Sequence, residues 1–228
     1  TEKGCCEGSC RDSKAWLEKK MPTFRTVPCT ESGVSECSKA IRDGAVIVFP
    51  TDTVYGIGCD PANEVAVNRV FEIKGRDEKK PLPLLVHDIS VARKIAALGI
   101  NGEMLAQKFW PGALTIVAPL IAGSGLAPAM LAGSKSVALR VPASRCIDML
   151  LSNCRHLVGT SANISGKKSP LSAQEVIDSG LDGFQILLDG GRVEKGIEST
   201  IVDATSGRVV REGVIKSPEI YRVIGLAK

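Results

Sequence analysis

Apolar and polar positions along this chain follow two periods in turn. Ala45–Phe49 is a continuous apolar run closed by Pro50, the pattern of a buried strand. Leu82–Val86, Leu114–Ala118, Val137–Val141 (stopped by Pro142) and His156–Gly159 read the same way. Gln185–Leu188, Thr200–Asp203 and Val209–Arg211 complete the expected strands, with Ser206-Gly207 as the turn between the last two. Between these runs the spacing is helical. Glu36–Asp43 carries a short helical pattern that stops at Gly44. Asp60-Pro61 predicts a helix start, because the first turn does not use the N–H that proline lacks. Val67, Val70, Phe71 and Lys74 follow at helical spacing as far as Gly75. Further helices are expected from Ile89, from Asn101, after Ser144, from the capping box Ser172-Ala-Gln-Glu175 and from Ser217-Pro218-Glu219. Strands interleaved with helices, with no linker between them, predict one α/β domain over residues 31–228. Residues 1–30, interrupted by Pro22 and Pro28, read as an N-terminal extension.

Composition narrows the class. The chain has 44% apolar and 24% charged residues, which excludes long disorder and collagen-like repeats. No apolar run reaches the ~20 residues of a membrane span, and the first twenty residues are polar and mixed in charge. A cytoplasmic protein without a membrane partner is expected. The net charge of +4 is too small to argue nucleic-acid binding alone. The eight cysteines are Cys5, Cys6, Cys10, Cys29, Cys37, Cys59, Cys146 and Cys154, with no C-x-x-C pair. Scattered cysteines in an intracellular chain do not predict disulfides. His87 and His156 are the only histidines, so no metal-ligand set is expected from the chain.

Familiar nucleotide loops are missing. Gly56-Ile57-Gly58 begins a G-x-G-x-x-G, but Pro61 occupies its last position. Gly166-Lys167-Lys168-Ser169 has the tail of a P-loop, yet Ser161 stands where its first glycine belongs. Four polar clusters remain at strand ends, where α/β sheets place ligands. Pro50-Thr51-Asp52-Thr53-Val54-Tyr55-Gly56 is either a hydroxyl-satisfied turn or part of a site. Lys74-Gly75-Arg76 with Lys79 and Lys80 either meets the negative end of a helix dipole or clamps phosphate. Thr160–Gly166 is rich in small hydroxyl and amide groups that also build turns. Glu198-Ser199-Thr200 faces Arg211-Glu212-Gly213 across a hairpin. Arg140 is harder to dismiss, since an arginine inside an apolar strand needs an anionic partner.

Taken in order, these blocks resemble a known family. Phe49-Pro-Thr-Asp-Thr-Val-Tyr-Gly56, Lys74-Gly-Arg76, Lys80-Pro-Leu82, Trp110-Pro-Gly112 with Leu114-Thr115, Ala138-Leu-Arg-Val-Pro142, Ser161-Ala-Asn-Ile-Ser-Gly166, Ser199-Thr-Ile-Val-Asp203 and Arg211-Glu-Gly213 are similar to the YrdC-like L-threonylcarbamoyladenylate synthases. The likeness runs from about Glu36 to Gly213 and is to the short, single-domain form.

The resemblance implies a single twisted open α/β domain with a large basic concave cavity. It implies condensation of L-threonine, bicarbonate and ATP into threonylcarbamoyl-AMP and pyrophosphate. A separate transferase would then carry the threonylcarbamoyl group to adenosine 37 of tRNAs reading ANN codons. Carried over position by position, Lys74, Arg76, Ser161 and Asn163 are the expected catalytic set, on the ATP phosphates and the carbamate. Lys80, Ser136 and Arg211 are expected on the nucleotide with them. Thr53, Arg140, Gly159 and Ser199 are expected around threonine, with Arg140 on its carboxylate. Mg²⁺ would arrive with ATP, held mostly by substrate oxygens and water. Two positions depart from the family: many relatives have Asn at Lys80 and His at Leu85. A rival reading from the same resemblance is a tRNA- or double-stranded-RNA-binding module without turnover, whose affinity would fall steeply with salt.

Overall fold

The computed structural model describes residues 24–226. Two sheets carry the fold. The first has five strands in the order β1-β9-β2-β3-β8, namely β1 (Arg25–Pro28), β9 (Ile186–Asp189), β2 (Ile47–Pro50), β3 (Tyr55–Gly58) and β8 (Thr160–Ser161). The second has six in the order β11-β10-β5-β6-β4-β7, namely β11 (Val209–Arg211), β10 (Thr200–Asp203), β5 (Leu114–Pro119), β6 (Ser136–Arg140), β4 (Leu84–Val86) and β7 (His156–Val158). Both sheets mix parallel and antiparallel pairs: β1, β9 and β2 run parallel, whereas β2 pairs antiparallel with β3.

The helices are α1 (Glu31–Arg42), α2 (Glu64–Lys74), α3 (Ile89–Ile95), α4 (Gly99–Phe109), α5 (Pro128–Leu131), α6 (Arg145–Cys154), α7 (Ala173–Asp178) and α8 (Ser217–Val223). Polar side chains start several of them. Thr30 accepts from the Gly33 amide at the start of α1, Asp88 from Val91 at α3 and Ser172 from Glu175 at α7. α1 and α6 cover one face of the first sheet, burying Ile47, Phe49, Ile186 and Leu188 with Cys37, Ile147 and Leu150. The opposite face of that sheet joins the main core. There Val48, Tyr55, Ile57 and Leu187 meet Val67, Val70 and Phe71 of α2 and Leu84, Leu114, Ile116 and Leu139 of the second sheet.

Several expectations change. Residues 25–28, assigned to the extension, form an edge strand parallel to β9, and α1 starts at Glu31 rather than Glu36. Local pattern hides β1 because its apolar partner lies more than 150 residues away in sequence, as the Val27 and Leu188 register shows. The cap of α2 is Asn63, whose side chain accepts from the Ala66 amide at 3.1 Å. Asp60 instead makes a tight turn, taking the Ala62 amide at 2.9 Å. Tyr55–Gly58 and Thr160–Ser161, read as polar loops, pair as strands. Cys29 and Cys146 are joined by a disulfide with Cα atoms 5.8 Å apart, against the expectation of unpaired thiols. The Cys5, Cys6 and Cys10 cluster lies outside the described residues.

The chain passes between the two sheets three times, and the shortest of these links is the one from β7 to β8. β7 belongs to the second sheet and β8 to the first, with Gly159 alone between them. The crossing is tight: a Cβ on Gly58 would lie 1.7 Å from the Val158 carbonyl oxygen, and one on Gly159 2.4 Å from Leu85 Cγ. Glycine at 58 lets its backbone approach that of Val158, and glycine at 159 leaves room for the Leu85 side chain.

Candidate active site

A concave cavity of about 640 Å³ opens at this junction. The second sheet forms its floor through one face of alternating positions: Leu85 on β4, Thr115 on β5, Ala138 and Arg140 on β6, Ile201 on β10. The intervening residues Leu84, Ile116, Leu139 and Val202 point into the core. β6 is therefore a two-faced strand rather than a wholly buried one, and Arg140 belongs to the cavity side. Six cations line the cavity (Lys74, Arg76, Lys80, Arg140, Lys167 and Arg211) against two carboxylates, Asp77 and Glu198.

Arg140 is 6% exposed and spends three guanidinium donors on the protein. Its Nε donates to the Gly112 carbonyl at 2.9 Å, one Nη to Thr53 Oγ1 at 2.9 Å and the other to Asp52 at 2.5 Å. The anionic partner demanded by its burial is thus Asp52, on the loop that leaves β2. Asp52 also accepts from the Ala143 amide at 3.1 Å and from Lys195 Nζ at 3.0 Å. Burial would raise its carboxyl pKa, but Arg140 and Lys195 together hold it below the ordinary range. Two guanidinium N–H groups of Arg140 remain for a ligand. Beside them, Thr51 Oγ1 and Thr53 Oγ1 lie 3.0 Å apart, and Ser199 Oγ lies 2.8 Å from Thr115 Oγ1. Thr51 also closes the turn, donating to the Val54 carbonyl, so this loop is both a satisfied turn and a cavity wall. Tyr55 turns away from the cavity, donating to the Gly191 carbonyl at 2.7 Å.

The opposite wall is cationic. Lys74 ends α2 and is 2% exposed. Its ammonium donates to the Ser161 carbonyl and, at 2.8 Å, to the Asn163 carbonyl, which leaves one N–H uncommitted. It does not serve as a solvated helix-end charge. Burial first, and Arg76 second, bring its pKa down to about 8, with Glu198 opposing. Gly75, left-handed at φ 54°, then reverses the chain. Arg76 donates through Nε to the Lys80 carbonyl at 3.2 Å and through Nη2 to the Pro81 carbonyl at 2.9 Å, bracing the loop that carries Lys80. Asn163 donates Nδ2 to the Ile164 and Lys167 carbonyls at 2.9 and 2.7 Å, and its Oδ1 is buried without a partner. Arg211 reaches from β11 to Glu198 and to the Ser199 carbonyl.

Ten of the eleven residues expected from sequence therefore line one cavity. The exception is Ser136, on the same face of β6 but two residues before Ala138 and outside the lining. Asp52, Thr115 and Glu198 were not singled out. A hydroxyl inside the apolar run Leu114–Ala118 was the available signal for Thr115, of the same kind as Arg140 in Val137–Val141. Asp52 and Glu198 both stand within polar clusters; the partner of Asp52, Arg140, is distant in sequence, whereas Glu198 meets Arg211 across the hairpin that the sequence already suggested.

Fold and lining together define an α/β protein with a cation-lined cavity at a sheet junction, one end strongly cationic and the other a guanidinium ringed by hydroxyls. The comparisons are specific. The family model Sua5_yciO_yrdC, described as "Telomere recombination", matches residues 39–213. The chain belongs to this family. The Threonylcarbamoyl-AMP synthase of Pyrococcus abyssi (strain GE5 / Orsay) is 38% identical over 190 residues, covering 81% of this chain and 55% of the relative. That of Bacillus subtilis (strain 168) is 34% identical over 197 residues, covering 84% and 56%. The chain spans about half the length of these two curated relatives. The crystal structure of P. abyssi Sua5 complexed with L-threonine superposes with a TM-score of 0.83 at 34% identity, covering 90% of this chain and 62% of that one. No helix among the described residues is long and apolar enough to cross a membrane.

Proposed function

We propose that this protein is a threonylcarbamoyl-AMP synthase, condensing L-threonine, bicarbonate and ATP into threonylcarbamoyl-AMP and pyrophosphate. The observation that carries the reading is the two-ended cavity, which suits an amino-acid carboxylate at Arg140 and a polyphosphate at the Lys74 wall. The names of the relatives, and the L-threonine bound to the P. abyssi protein, support it.

At the Arg140 end, the two remaining N–H groups take the threonine carboxylate, while Thr53, Ser199 and the Gly159 backbone orient its amine and hydroxyl. The threonine amine, having shed a proton, adds to the carbon of bicarbonate and water leaves, giving the carbamate. A carbamate oxygen then attacks the α-phosphorus: that O–P bond forms as the bond to the bridging oxygen of pyrophosphate breaks. The chain needs no covalent intermediate for this. Its task is to hold three anionic groups together and to neutralise charge on the leaving pyrophosphate. Lys74, Arg76, Lys80 and Arg211 do that, with the Ser161 hydroxyl beside them. Asn163 holds the loop whose carbonyls fix the Lys74 ammonium. Ser136 meets the nucleotide only if it extends along β6 beyond the lining.

Mg²⁺ fits as an ion carried by the polyphosphate. Among the described residues no group of three or more His, Cys, Asp or Glu is placed to hold a metal. The cavity offers two carboxylates, Asp77 and Glu198, to an ion otherwise liganded by phosphate and water. Bound there, it would neutralise the departing pyrophosphate. We further propose a cytoplasmic setting and hand-off of the product to a tRNA threonylcarbamoyl transferase.

The test is pyrophosphate release from ATP by the purified chain, with L-threonine and bicarbonate supplied singly and together. Release that needs both, and falls at least about a hundredfold in Lys74→Ala or Arg76→Ala with the fold retained, is expected. ATP binding without threonine-dependent release would overturn the reading, and salt-sensitive tRNA affinity in its place would favour an RNA-binding module.

A further inference from the structure

Glu198 is an anion in a cavity read above as built for anions. It sits just before β10, and its carboxylate is held from two sides. Oε2 accepts from Arg211, and Oε1 accepts from Ser169 Oγ at 3.0 Å. Arg211 keeps its other arm on the Ser199 carbonyl at 2.9 Å. The negative charge of Glu198 also reaches Lys74 and Arg76, where it favours the protonated forms that Arg211 and Arg76 oppose. The other carboxylate of the lining, Asp77, is occupied in its own turn by the Lys79 amide at 3.0 Å. Glu198 is thus the counter-charge of the cationic wall. The pair is also easy to exchange, because the side chains of Arg211 and Glu198 are 43% and 35% exposed. Such ion pairs contribute little, and a phosphate offers the guanidinium a stronger bidentate partner.

Exchange has a consequence for the ligand. A bare polyphosphate that takes Arg211 leaves Glu198 as an uncompensated like charge beside it. A divalent ion riding on that polyphosphate reverses the sign, since the freed carboxylate becomes one more oxygen ligand. We propose that Glu198 makes this cavity discriminate metal-carrying polyphosphate from bare polyphosphate, guarding Arg211 until the metal-bound form displaces it. The proposal rests on the polyphosphate reading of the cavity and assigns it a selectivity residue.

Calorimetric titration of the full chain with sodium pyrophosphate tests it, with MgCl₂ in one arm, a chelator in the other and ionic strength matched. Wild type is expected to gain about tenfold or more in affinity from Mg²⁺; Glu198→Gln is expected to bind bare pyrophosphate about tenfold tighter than wild type and to lose most of the Mg²⁺ gain. Glu198→Asp, which keeps the charge, and Ser169→Ala, which removes only the hydroxyl, should retain the wild-type dependence on Mg²⁺. A role confined to tying down the loop would make every variant bind more weakly, so tighter binding of the bare anion is diagnostic. The proposal is overturned if wild type gains nothing from Mg²⁺, if Glu198→Gln binds bare pyrophosphate no tighter, or if Ser169→Ala reproduces Glu198→Gln. Absence of pyrophosphate binding in both arms by wild type would overturn the polyphosphate reading as well, which distinguishes that failure from the others.

Discussion

Lys74 shows how one side chain can brace the fold and line the cavity at once. It lies on the buried stripe of α2 with Val67, Val70 and Phe71, and its ammonium ties the helix end to the 161–163 loop through two carbonyls. Burial with only neutral acceptors disfavours the charged form, so the pKa falls to about 8 from an ordinary 10.5. The sign of the pH dependence follows. Below about 8 the ammonium is intact and, as proposed, would attract polyphosphate; as pH rises through that value the charge is lost. Pyrophosphate affinity of the wild type, measured by calorimetry relative to Lys74→Arg, should fall as pH rises through about 8. Lys74→Arg should move the fall to higher pH, because a guanidinium stays charged. The effect on stability has the opposite sense. An unfolded lysine keeps its proton to about 10.4, so between about 8 and there the unfolded chain binds more protons and the contribution of this group to stability rises with pH. The residue types of the site were legible in the sequence as polar clusters at strand ends, and Arg140 was legible as a buried charge wanting a partner. That the partner is Asp52 was not, because 88 residues separate them.

At the level of elements, the cationic wall depends on how α2 stops. Gly75 caps the helix in the left-handed region, returning its amide to the Glu72 carbonyl and setting Arg76 to brace residues 80 and 81. A Cβ there meets no atom within 4 Å, so the cost of Gly75→Ala is backbone strain alone. We expect a loss of about 1 kcal/mol in urea unfolding, with pyrophosphate affinity lowered further as Arg76 loses its bracing position. Helices with a local cap and a glycine stop were read from sequence to within a few residues, since both signals are contiguous. α2 shows where that reading slips: Asp60-Pro61 has the composition of a helix start, yet Asn63 makes the cap bond. Some short strands were missed. β8 has two residues, and β1 offers a single buried position, Val27, so neither carries a hydrophobic pattern; they exist because neighbouring strands offer unpaired backbone groups.

Across the whole molecule, the Cys29–Cys146 bridge is the longest-range covalent constraint among the described residues. It ties the end of β1 to the first turn of α6 across 117 residues, on the side where the Ala143 amide meets Asp52. Closing so long a loop restricts the unfolded chain. Reduction, or Cys29→Ser, should therefore cost about 2–4 kcal/mol, seen as a lower midpoint in denaturant with and without reductant. A reducing cytoplasm would hold the protein in that less stable form. The cavity, too, belongs to the whole: the loop after β2, β6, β10 and the β7–β8 crossing each contribute to its walls, and no stretch of sequence contains it. What the sequence determined by itself was the alternation of strands and helices, the helix stops and the inventory of cations and hydroxyls, because these rest on periodicity and on neighbours a few residues apart. Tertiary structure decided the rest. The joining of two sheets through Gly159, the face of β6 that meets the cavity, and the pairing of Arg140 with Asp52 depend on groups far apart in the chain. Burial in the folded protein is what makes those distant charges seek each other.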